Sequence, residues 1–140
     1  MKLSTRSRYS VRILLELARN TGTQPVQVSE ISRRQKIPPK YVEQLIRTLK
    51  SSRLILSSRG PKGGYTLAKP AKEISLGDIV RIFEGQADLV ECVDSPDKCD
   101  MAGTCPVRAA WTQANAALFE KLDAISINDL VCTSPNAVVV

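Results

Sequence analysis

The 140-residue sequence contains no histidine and few aromatic side chains. Aromatic residues make up 4% of the chain, so a core has to be built from aliphatic side chains. Without histidine the chain cannot form a Ser-His-Asp triad or a Cys-His pair, two common arrangements for nucleophilic catalysis. A phosphate-binding loop of the G-x4-G-K type is also missing from the sequence. These absences argue against an enzyme.

Long hydrophobic runs are missing as well, which predicts a chain that does not cross a membrane. The first residues lead directly into a charged helical pattern and do not resemble a signal peptide. We therefore expect a cytoplasmic protein. In that compartment structural disulfides are rare, and clustered cysteines more often bind metal or carry out redox chemistry.

Negative charge is scarce in the first half of the chain. Residues 1–69 contain 15 Lys and Arg but 3 acidic residues, a balance of +12, whereas residues 70–140 contain 5 and 11, a balance of −6. Such asymmetry predicts a nucleic-acid-binding half and a second half with another role. We expect a DNA-binding region over residues 1–69, a dimerisation and cysteine region over 70–131, and a flexible tail over 132–140.

Apolar residues recur at helical spacing in the first half, which predicts helices over residues 4–19, 30–36 and 39–51. Ser29 is a suitable N-cap for the second helix. The turn residues 21–25 end the first helix, and Ile37-Pro38 separates the second from the third. The third helix combines an apolar stripe with a polar, basic face. This pattern is typical of a helix-turn-helix, although a merely solvated face would also produce it.

The next segment predicts a hairpin, with strands over residues 54–58 and 65–67. The connecting residues 59–64 are rich in glycine, which permits close approach of the backbone to a phosphate. Arg59 and Lys62 would supply positive charge there. A basic hairpin directly after a helix-turn-helix favours a winged helix over a plain surface hairpin. The predicted fold class is mainly α with a small β-wing.

Two further helices are predicted in the second half. Ser75 and Asp78 form a capping box for a helix over residues 76–84, which Gly85 would end. A long helix over residues 106–124 has an apolar stripe made of Val107, Ala110, Trp111, Ala114, Leu118 and Leu122. The stripe suits either a core or a helix–helix dimer seam. We favour the dimer, because two symmetric DNA-binding halves read an operator.

Three of the four cysteines occur close together, at Cys92, Cys99 and Cys105, with the spacing C-x6-C-x5-C. Turn-forming residues between them predict a long loop, which is usually functional in a compact domain. Three thiols on one loop can bind a soft metal or an iron–sulfur cluster. A structural zinc site is disfavoured because no C-x2-4-C knuckle is present. Free or redox-active thiols are the alternative.

Three stretches carry a resemblance to a known family. They are residues 9–18, residues 37–45 and the hairpin Ser-Arg-Gly-Pro-Lys-Gly-Gly-Tyr-Thr-Leu over residues 58–67. On these stretches the sequence resembles the IscR-like (Rrf2) family of bacterial transcription regulators, which includes the NsrR, RirA and CymR types. The resemblance covers about residues 1–131, and the three cysteines follow where the family places its cluster.

The resemblance implies a winged-helix homodimer that binds double-stranded operator DNA and holds an iron–sulfur cluster, [2Fe-2S] in preference to [4Fe-4S]. Carried over, Cys92, Cys99 and Cys105 would be the ligands. Lys40, Glu43 and Gln44 would face bases, and Arg59 would enter the minor groove. The complete set of predicted DNA-contacting residues is Lys40, Tyr41, Glu43, Gln44, Arg47, Arg59, Lys62 and Gly63.

The sequence departs from the family pattern at the fourth ligand. IscR-type members have a histidine three residues after the last cysteine, where this chain has Arg108, and NsrR-like members use a carboxylate near the N-terminus of the partner subunit, where this chain offers Arg6 and Arg8. The remaining candidates are Asp94, Asp97, Asp100, Cys132 or a small thiol. Two other functions stay open: a cluster carrier or redox enzyme, and a cluster-free, CymR-type regulator controlled by a partner protein or by thiol redox state.

Overall fold

The structure of the protein is a computed structural model, which describes residues 2–20, 24–85 and 88–133. The order of its helices and strands is α1 (Thr5–Arg19), α2 (Val28–Gln35), α3 (Pro39–Ser51), β1 (Ile55–Ser58), β2 (Gly64–Leu67), α4 (Leu76–Glu84), α5 (Glu91–Asp94), α6 (Pro106–Asp123) and α7 (Ile127–Cys132). Short 3-10 turns cover Ala71–Glu73 and Pro96–Lys98. The predicted fold class, mainly helical with a two-stranded wing, is confirmed.

Helix α1 lies at the centre of the fold. Ser4 caps it by accepting a hydrogen bond from the Ser7 amide at 3.2 Å. One side of the helix buries Ile13, Leu14 and Leu17. It contacts α2, α3, α4, α7 and β2, so most of the chain is packed around it. The core is aliphatic apart from Phe83, in keeping with the low aromatic content.

Helix α2 begins earlier than predicted. Val26 forms a bridge with Tyr65, in which the two amides donate to the opposite carbonyls at 2.9 and 2.8 Å. The bridge holds the chain extended up to Gln27, which becomes the N-cap. The helix therefore starts at Val28, and the prediction of Ser29 as N-cap is wrong. A tertiary contact with the wing, which lies 39 residues later in the sequence, sets this helix start.

The wing is an antiparallel pair of strands in which Ile55 faces Leu67 and Ser58 faces Gly64. Gly64 has a φ of +155°, and a Cβ on it would lie 2.6 Å from the Val26 carbonyl oxygen. A glycine is needed here because the strand passes so close to the segment that leads into α2. The hairpin is thereby attached to the helix-turn-helix at its base, while its tip is left exposed.

Helices α4 and α7 begin in the same way and pair with each other. The predicted capping box of Ser75 and Asp78 is confirmed, and Ser126 and Asp129 form a second one. The Leu76 amide donates to the Ile125 carbonyl at 2.9 Å, and the Ile127 amide to the Ile74 carbonyl at 2.8 Å. The two similar sequences thus meet at one place. Of the predicted tail, residues 134–140 lie outside the described residues.

Helix α6 differs from the other long helices because none of its 18 residues, all of which are described, is buried. Val107 is 56% exposed and Trp111 is 43% exposed. Its apolar stripe is therefore not part of the core of this chain. Within the described ranges, no helix combines the length and the hydropathy needed to span a bilayer.

Candidate functional site

The outer face of α3 is polar, and it belongs to a well-fixed helix. Val42, Leu45, Ile46 and Leu49 are buried on the inner face. The predicted base-facing residues Lys40, Glu43 and Gln44 are exposed, as is Arg47. Pro39 opens the helix with φ already suited to the first turn. These side chains therefore lie on one accessible surface of a helix that the core holds in place.

Tyr41 is placed differently from its neighbours on α3. It is half-buried, and its ring meets the Tyr9 ring edge-on, with 5.8 Å between the ring centroids. The Arg12 guanidinium stacks over Tyr9 at 5.1 Å and donates to the Gln35 side chain at 2.9 Å. Tyr41 therefore anchors the start of α3 to α1, and its contact with DNA stays a prediction.

Two arginines in the first half of the chain form ion pairs with a buried carboxylate. Glu16 is only 5% exposed. Gln35 donates to it at 2.5 Å, and Arg34 and Arg19 lie at 3.4 and 3.7 Å. A buried carboxylate has to be paired in this way, because leaving it alone would be costly. The network joins α1 to α2, so Arg34 and Arg19 support the fold.

The wing tip presents two exposed cations, Arg59 and Lys62. Gly63 is buried, and its amide donates to the Gly60 carbonyl at 2.9 Å. A Cβ on Gly63 would lie 2.3 Å from the Ser58 carbonyl oxygen. Gly63 therefore shapes the turn that carries the two cations, because a larger residue would collide with the backbone of the wing itself.

The three clustered cysteines lie within or next to structured elements. Cys92 is in α5, Cys99 follows the 3-10 turn Pro96–Lys98, and Cys105 is the N-cap of α6. The prediction of a loop without secondary structure was therefore incomplete. Cys99 is exposed, and the other two are half-buried. Three thiols suit a soft metal chemically, but among the described residues no His, Cys, Asp or Glu side chains are grouped as a metal site.

The candidate fourth ligands differ in position. Asp94, Asp97 and Asp100 are exposed within the cysteine segment itself. Cys132 is exposed on α7, which follows the C-terminal end of α6. The 18 residues of α6 span about 27 Å at the helical rise, and Cys105 stands at the opposite end. Within one chain, Cys132 is therefore the most remote candidate.

Arg108, at the position of the missing histidine, makes a contact that sequence reasoning did not find. Its Nε donates to the Cys92 carbonyl at 2.7 Å, and its Nη2 approaches the Val93 carbonyl at 3.5 Å. One signal could have indicated it. The residue four positions after Cys92 is Pro96, which has no amide hydrogen to satisfy that carbonyl.

A second polar contact attaches the start of the cysteine segment to α6. The Leu89 amide donates to the Asn115 side-chain oxygen at 3.1 Å, and the Asn115 amide group donates to Asp88 at 2.6 Å. Asn115 and Arg108 are seven residues apart, so they project from the same side of α6. The segment is thus held on one face of this helix.

Helix α4 connects the winged-helix half, residues 1–69, to α6. At its end, Glu84 accepts hydrogen bonds from the Ser4 amide at 2.9 Å, from the Ser4 hydroxyl at 2.6 Å and from the Ser7 hydroxyl. These bonds, first Ser4 and then Ser7, hold the pKa of Glu84 below its ordinary value. This carboxylate therefore fastens α4 to the N-terminus of α1.

The preceding turn of α4 meets α6. Arg81 donates two hydrogen bonds to Asp123 at 2.7 and 2.8 Å, and its guanidinium stacks over Phe119 at 4.7 Å. The hydrogen bond from Arg81 lowers the pKa of Asp123, and the same bond raises the pKa of Arg81. Arg81 and Glu84 are three residues apart, so one short helix contacts both regions.

Comparison with known proteins places these features in a family. The Rrf2 family model, described as an iron-dependent transcriptional regulator, matches residues 3–133. The protein rrf2 of Nitratidesulfovibrio vulgaris is 40% identical over 131 residues, which are 94% of this chain and 87% of that protein. The transcriptional regulator IscR of Klebsiella pneumoniae is 34% identical over 131 residues, which are 94% and 80% of the two chains.

Solved structures agree with the sequence comparison. The structure of CymR, the global cysteine regulator of B. subtilis, superposes with a TM-score of 0.78 at 33% identity. The similarity covers 94% of this chain and 96% of that one. The fold described above is therefore shared over almost the whole length of both chains.

Proposed function

Since the chain belongs to the Rrf2 family of transcriptional regulators, we propose that it binds operator DNA as a homodimer and that an iron–sulfur cluster controls its affinity. The observation that carries the proposal is the attachment of the three-cysteine segment to α6, which α4 joins to the DNA-binding half. Relatives that are transcriptional regulators are not enzymes, so the proposal concerns binding and its control.

DNA binding is proposed to use the outer face of α3 and the wing tip. Gln44 has the side chain that pairs with adenine in the major groove, and Lys40 and Arg47 suit guanine or phosphate. Arg59 is proposed to enter the minor groove and Lys62 to contact the backbone. All five side chains are exposed. Positive charge at these positions favours association because DNA binding releases condensed counterions.

A second copy of the chain is proposed to cover α6. The helix has no buried residue of its own and exposes Val107 and Trp111. Its Leu122 also lines an apolar groove of about 240 Å³ between α1, α4, α6 and α7, together with Leu3, Val11, Leu76, Val80 and Leu130. Exposed apolar surface of this kind marks an interaction site. A two-fold dimer would also present two wings to a symmetric operator.

Cys92, Cys99 and Cys105 are proposed to hold the cluster, with [2Fe-2S] favoured over [4Fe-4S]. When bound, the cluster would supply a centre that responds to oxygen, nitric oxide or iron supply. The cysteine segment would have to close to bring its thiols together. The fourth position is proposed to be filled by Asp94, Asp97, Asp100, Cys132 or a small thiol. A weak ligand there would leave one iron accessible.

Control of DNA affinity is proposed to follow from the closing of the cysteine segment. The segment lies between α4 and α6 in the chain, so closing would change how the two helices lie against each other. Affinity can change only if the two conformations have different interaction free energies with DNA. DNA must in return change the affinity for the cluster by the same factor. We expect the cluster-loaded form to bind more tightly at operators that it represses.

A second candidate is a cluster-free regulator of the CymR type, controlled by a partner protein or by thiol redox state. One observation favours it: the similarity to CymR. The surface proposed for DNA is the same in both cases. The two candidates differ only in what acts on the cysteine segment.

The deciding experiment uses the full-length chain, purified without oxygen. Iron, sulfide and visible absorption are measured first, and one operator is then titrated at fixed salt with cluster-loaded protein, cluster-free protein and the variant with Cys92, Cys99 and Cys105 all changed to Ala. A brown protein whose loaded form binds differently from the other two supports cluster control. The Cys132→Ala variant is the matched control if Cys132 is not the fourth ligand.

Two outcomes would overturn the first candidate. A colourless, iron-free protein that binds DNA fully would support the CymR-type candidate. Cluster-loaded and cluster-free forms with equal affinity at every operator would show that a cluster, if bound, is not a switch. Unchanged cluster content in the single variants Cys92→Ala, Cys99→Ala and Cys105→Ala would count against the ligand assignment.

A further inference from the structure

We propose that Arg108 is a positioning residue that fixes Cys92 to the first turn of α6, in place of the histidine that IscR-type regulators have at this position. Its guanidinium donates to the Cys92 carbonyl at 2.7 Å and is half-buried against the segment. A guanidinium carries five donors and no acceptor, so it cannot be a metal ligand. Its role is to hold the backbone of a ligand-bearing turn.

The contact meets a specific need of α5. This helix has four residues, Glu91–Asp94, and therefore a single turn. The last carbonyls of a helix have no partner within the helix. The Cys92 carbonyl would ordinarily accept from the amide four residues later, but that residue is Pro96. Arg108 supplies the missing donor and so caps the turn, as basic side chains do at helix C-termini.

The cap joins two of the three cysteines through one side chain. Arg108 is three residues after Cys105, the N-cap of α6, and it holds the carbonyl of Cys92. The first and the last cysteine of the segment are thus both held at the first turn of α6. Residues 95–104, which carry the exposed Cys99, lie between these two fixed points. Closing of the segment would then require movement mainly of this middle part.

Arg108 also places a permanent positive charge next to the segment, whose other charges are mostly acidic. Net charge near an iron–sulfur cluster is one of the factors that set its reduction potential. Positive charge favours the reduced form, so Arg108 would raise the potential. This part of the inference rests on the proposed function, whereas the capping of α5 does not.

The first test needs no cluster. Amide hydrogen exchange of Val93 and Ser95, whose amides donate to the Val90 and Glu91 carbonyls at 3.2 and 2.8 Å, is measured in metal-free protein. In Arg108→Ala we expect both amides to exchange about three- to tenfold faster, the range for the net contribution of one ordinary hydrogen bond in water. Arg108→Lys should recover part of the protection, because one ammonium donor can still reach a carbonyl.

Lys98→Ala is the matched control. Lys98 lies in the same segment, and its ammonium is 3.9 Å from Glu91, so this variant removes the same charge without removing a donor to Cys92. In Lys98→Ala, the Val93 and Ser95 amides should exchange at the wild-type rate. The Leu49 amide, in the buried core part of α3, reports whether a variant has lost overall stability. Unchanged exchange of Val93 and Ser95 in Arg108→Ala would overturn the positioning role. Equal acceleration of the Leu49 amide would overturn it as well.

The second test measures the reduction potential of reconstituted protein. Arg108→Gln should lower the potential, and Arg108→Lys should leave it close to wild type because the charge is kept. Equal potentials in wild type, Arg108→Gln and Arg108→Lys would overturn the charge effect. If the wild-type chain takes up no cluster, the proposed function fails and the charge effect fails with it, while the exchange experiment still decides the positioning role by itself.

Discussion

The two regions of this molecule are stabilised in different ways. The DNA-binding half packs α1, α2, α3 and the wing around an aliphatic core that includes fully buried Leu14 and Ile31. Helix α6 and the cysteine segment contribute no buried residue among those described in residues 88–126. One region is held by hydrophobic burial, and the other is attached by a few polar contacts.

The difference matters for control. Burial of a large aliphatic side chain is worth about 1.5–3 kcal/mol, whereas an exposed ion pair such as Arg81–Asp123 contributes about 0–1 kcal/mol. Contacts of the second kind can be rearranged at little cost. A region that has to respond to a signal is better attached in that way, while the region that reads DNA is better fixed by a core.

The sharpest test of this contrast compares one truncation in each region. Leu14→Ala removes a fully buried side chain and should lower the free energy of unfolding by about 2–5 kcal/mol. Leu118→Ala, on the half-exposed side of α6, should lower it by about 1 kcal/mol or less in the monomer. Urea unfolding at several protein concentrations measures both. Equal losses in dilute, monomeric protein would contradict the contrast.

The contact between the two regions can be broken at Gly77. A Cβ there would lie 1.8 Å from Asp123 Oδ1 and 2.9 Å from Arg81 Nη1, so Gly77→Ala should displace the ion pair. Stability should fall by about 1 kcal/mol or less, because both partners are half-exposed, flexible side chains. Gly103→Ala is the matched control, because a Cβ on Gly103 would have no neighbouring atom within 4 Å. The double variant Gly77→Ala with Asp123→Ala should lose less than the sum of its single variants. Additive losses would indicate that the clash is not with Asp123.

DNA affinity and sequence preference should depend on exposed side chains of α3 and the wing, and not on the charges of α6. Gln44→Ala should relax sequence preference by about 1–3 kcal/mol at one base pair, and Arg59→Ala should weaken binding to every sequence tested. Lys121→Ala removes an exposed cation from α6 and is the control. Titrations at several salt concentrations should also show a steep loss of affinity. Wild-type binding by Arg59→Ala on all sequences would argue against the role of the wing.

The smallest expected effect concerns pH. The pKa of Glu84 lies below its ordinary value of 4.5 because of hydrogen bonds from Ser4 and Ser7. Folding therefore favours the ionised form of Glu84. The contribution of this carboxylate to folding stability is fully present above pH 4.5 and is lost as the pH falls through the lowered pKa. Wild type should exceed Glu84→Gln in stability by about 1 kcal/mol or less at neutral pH, and the gap should narrow below pH 4. Glu120→Gln is the control, and a gap that widens in acid would contradict the assignment.

The sequence predicted the elements whose signals are local. The stripe Val42, Leu45, Ile46 and Leu49 lies within two turns of α3, and each of those residues is buried. The capping box of Ser75 and Asp78 spans three residues and marks the start of α4 correctly. The polar face of α3 and the basic wing tip were predicted for the same reason, since periodicity and turn chemistry act between residues close in the chain.

Contacts between distant residues were decided by the tertiary structure. The amide bridge between Val26 and Tyr65 moved the start of α2 away from Ser29, and Arg81 meets Asp123 across 42 residues. Arg108 reaches Cys92 across 16 residues and gives the position of the missing histidine a different role. Neither partner in such a pair carries a local pattern that identifies the other. Local patterns along the chain therefore account for the winged helix, whereas packing around α1 and α6 sets how the two regions are joined, because that packing brings together residues far apart in the sequence.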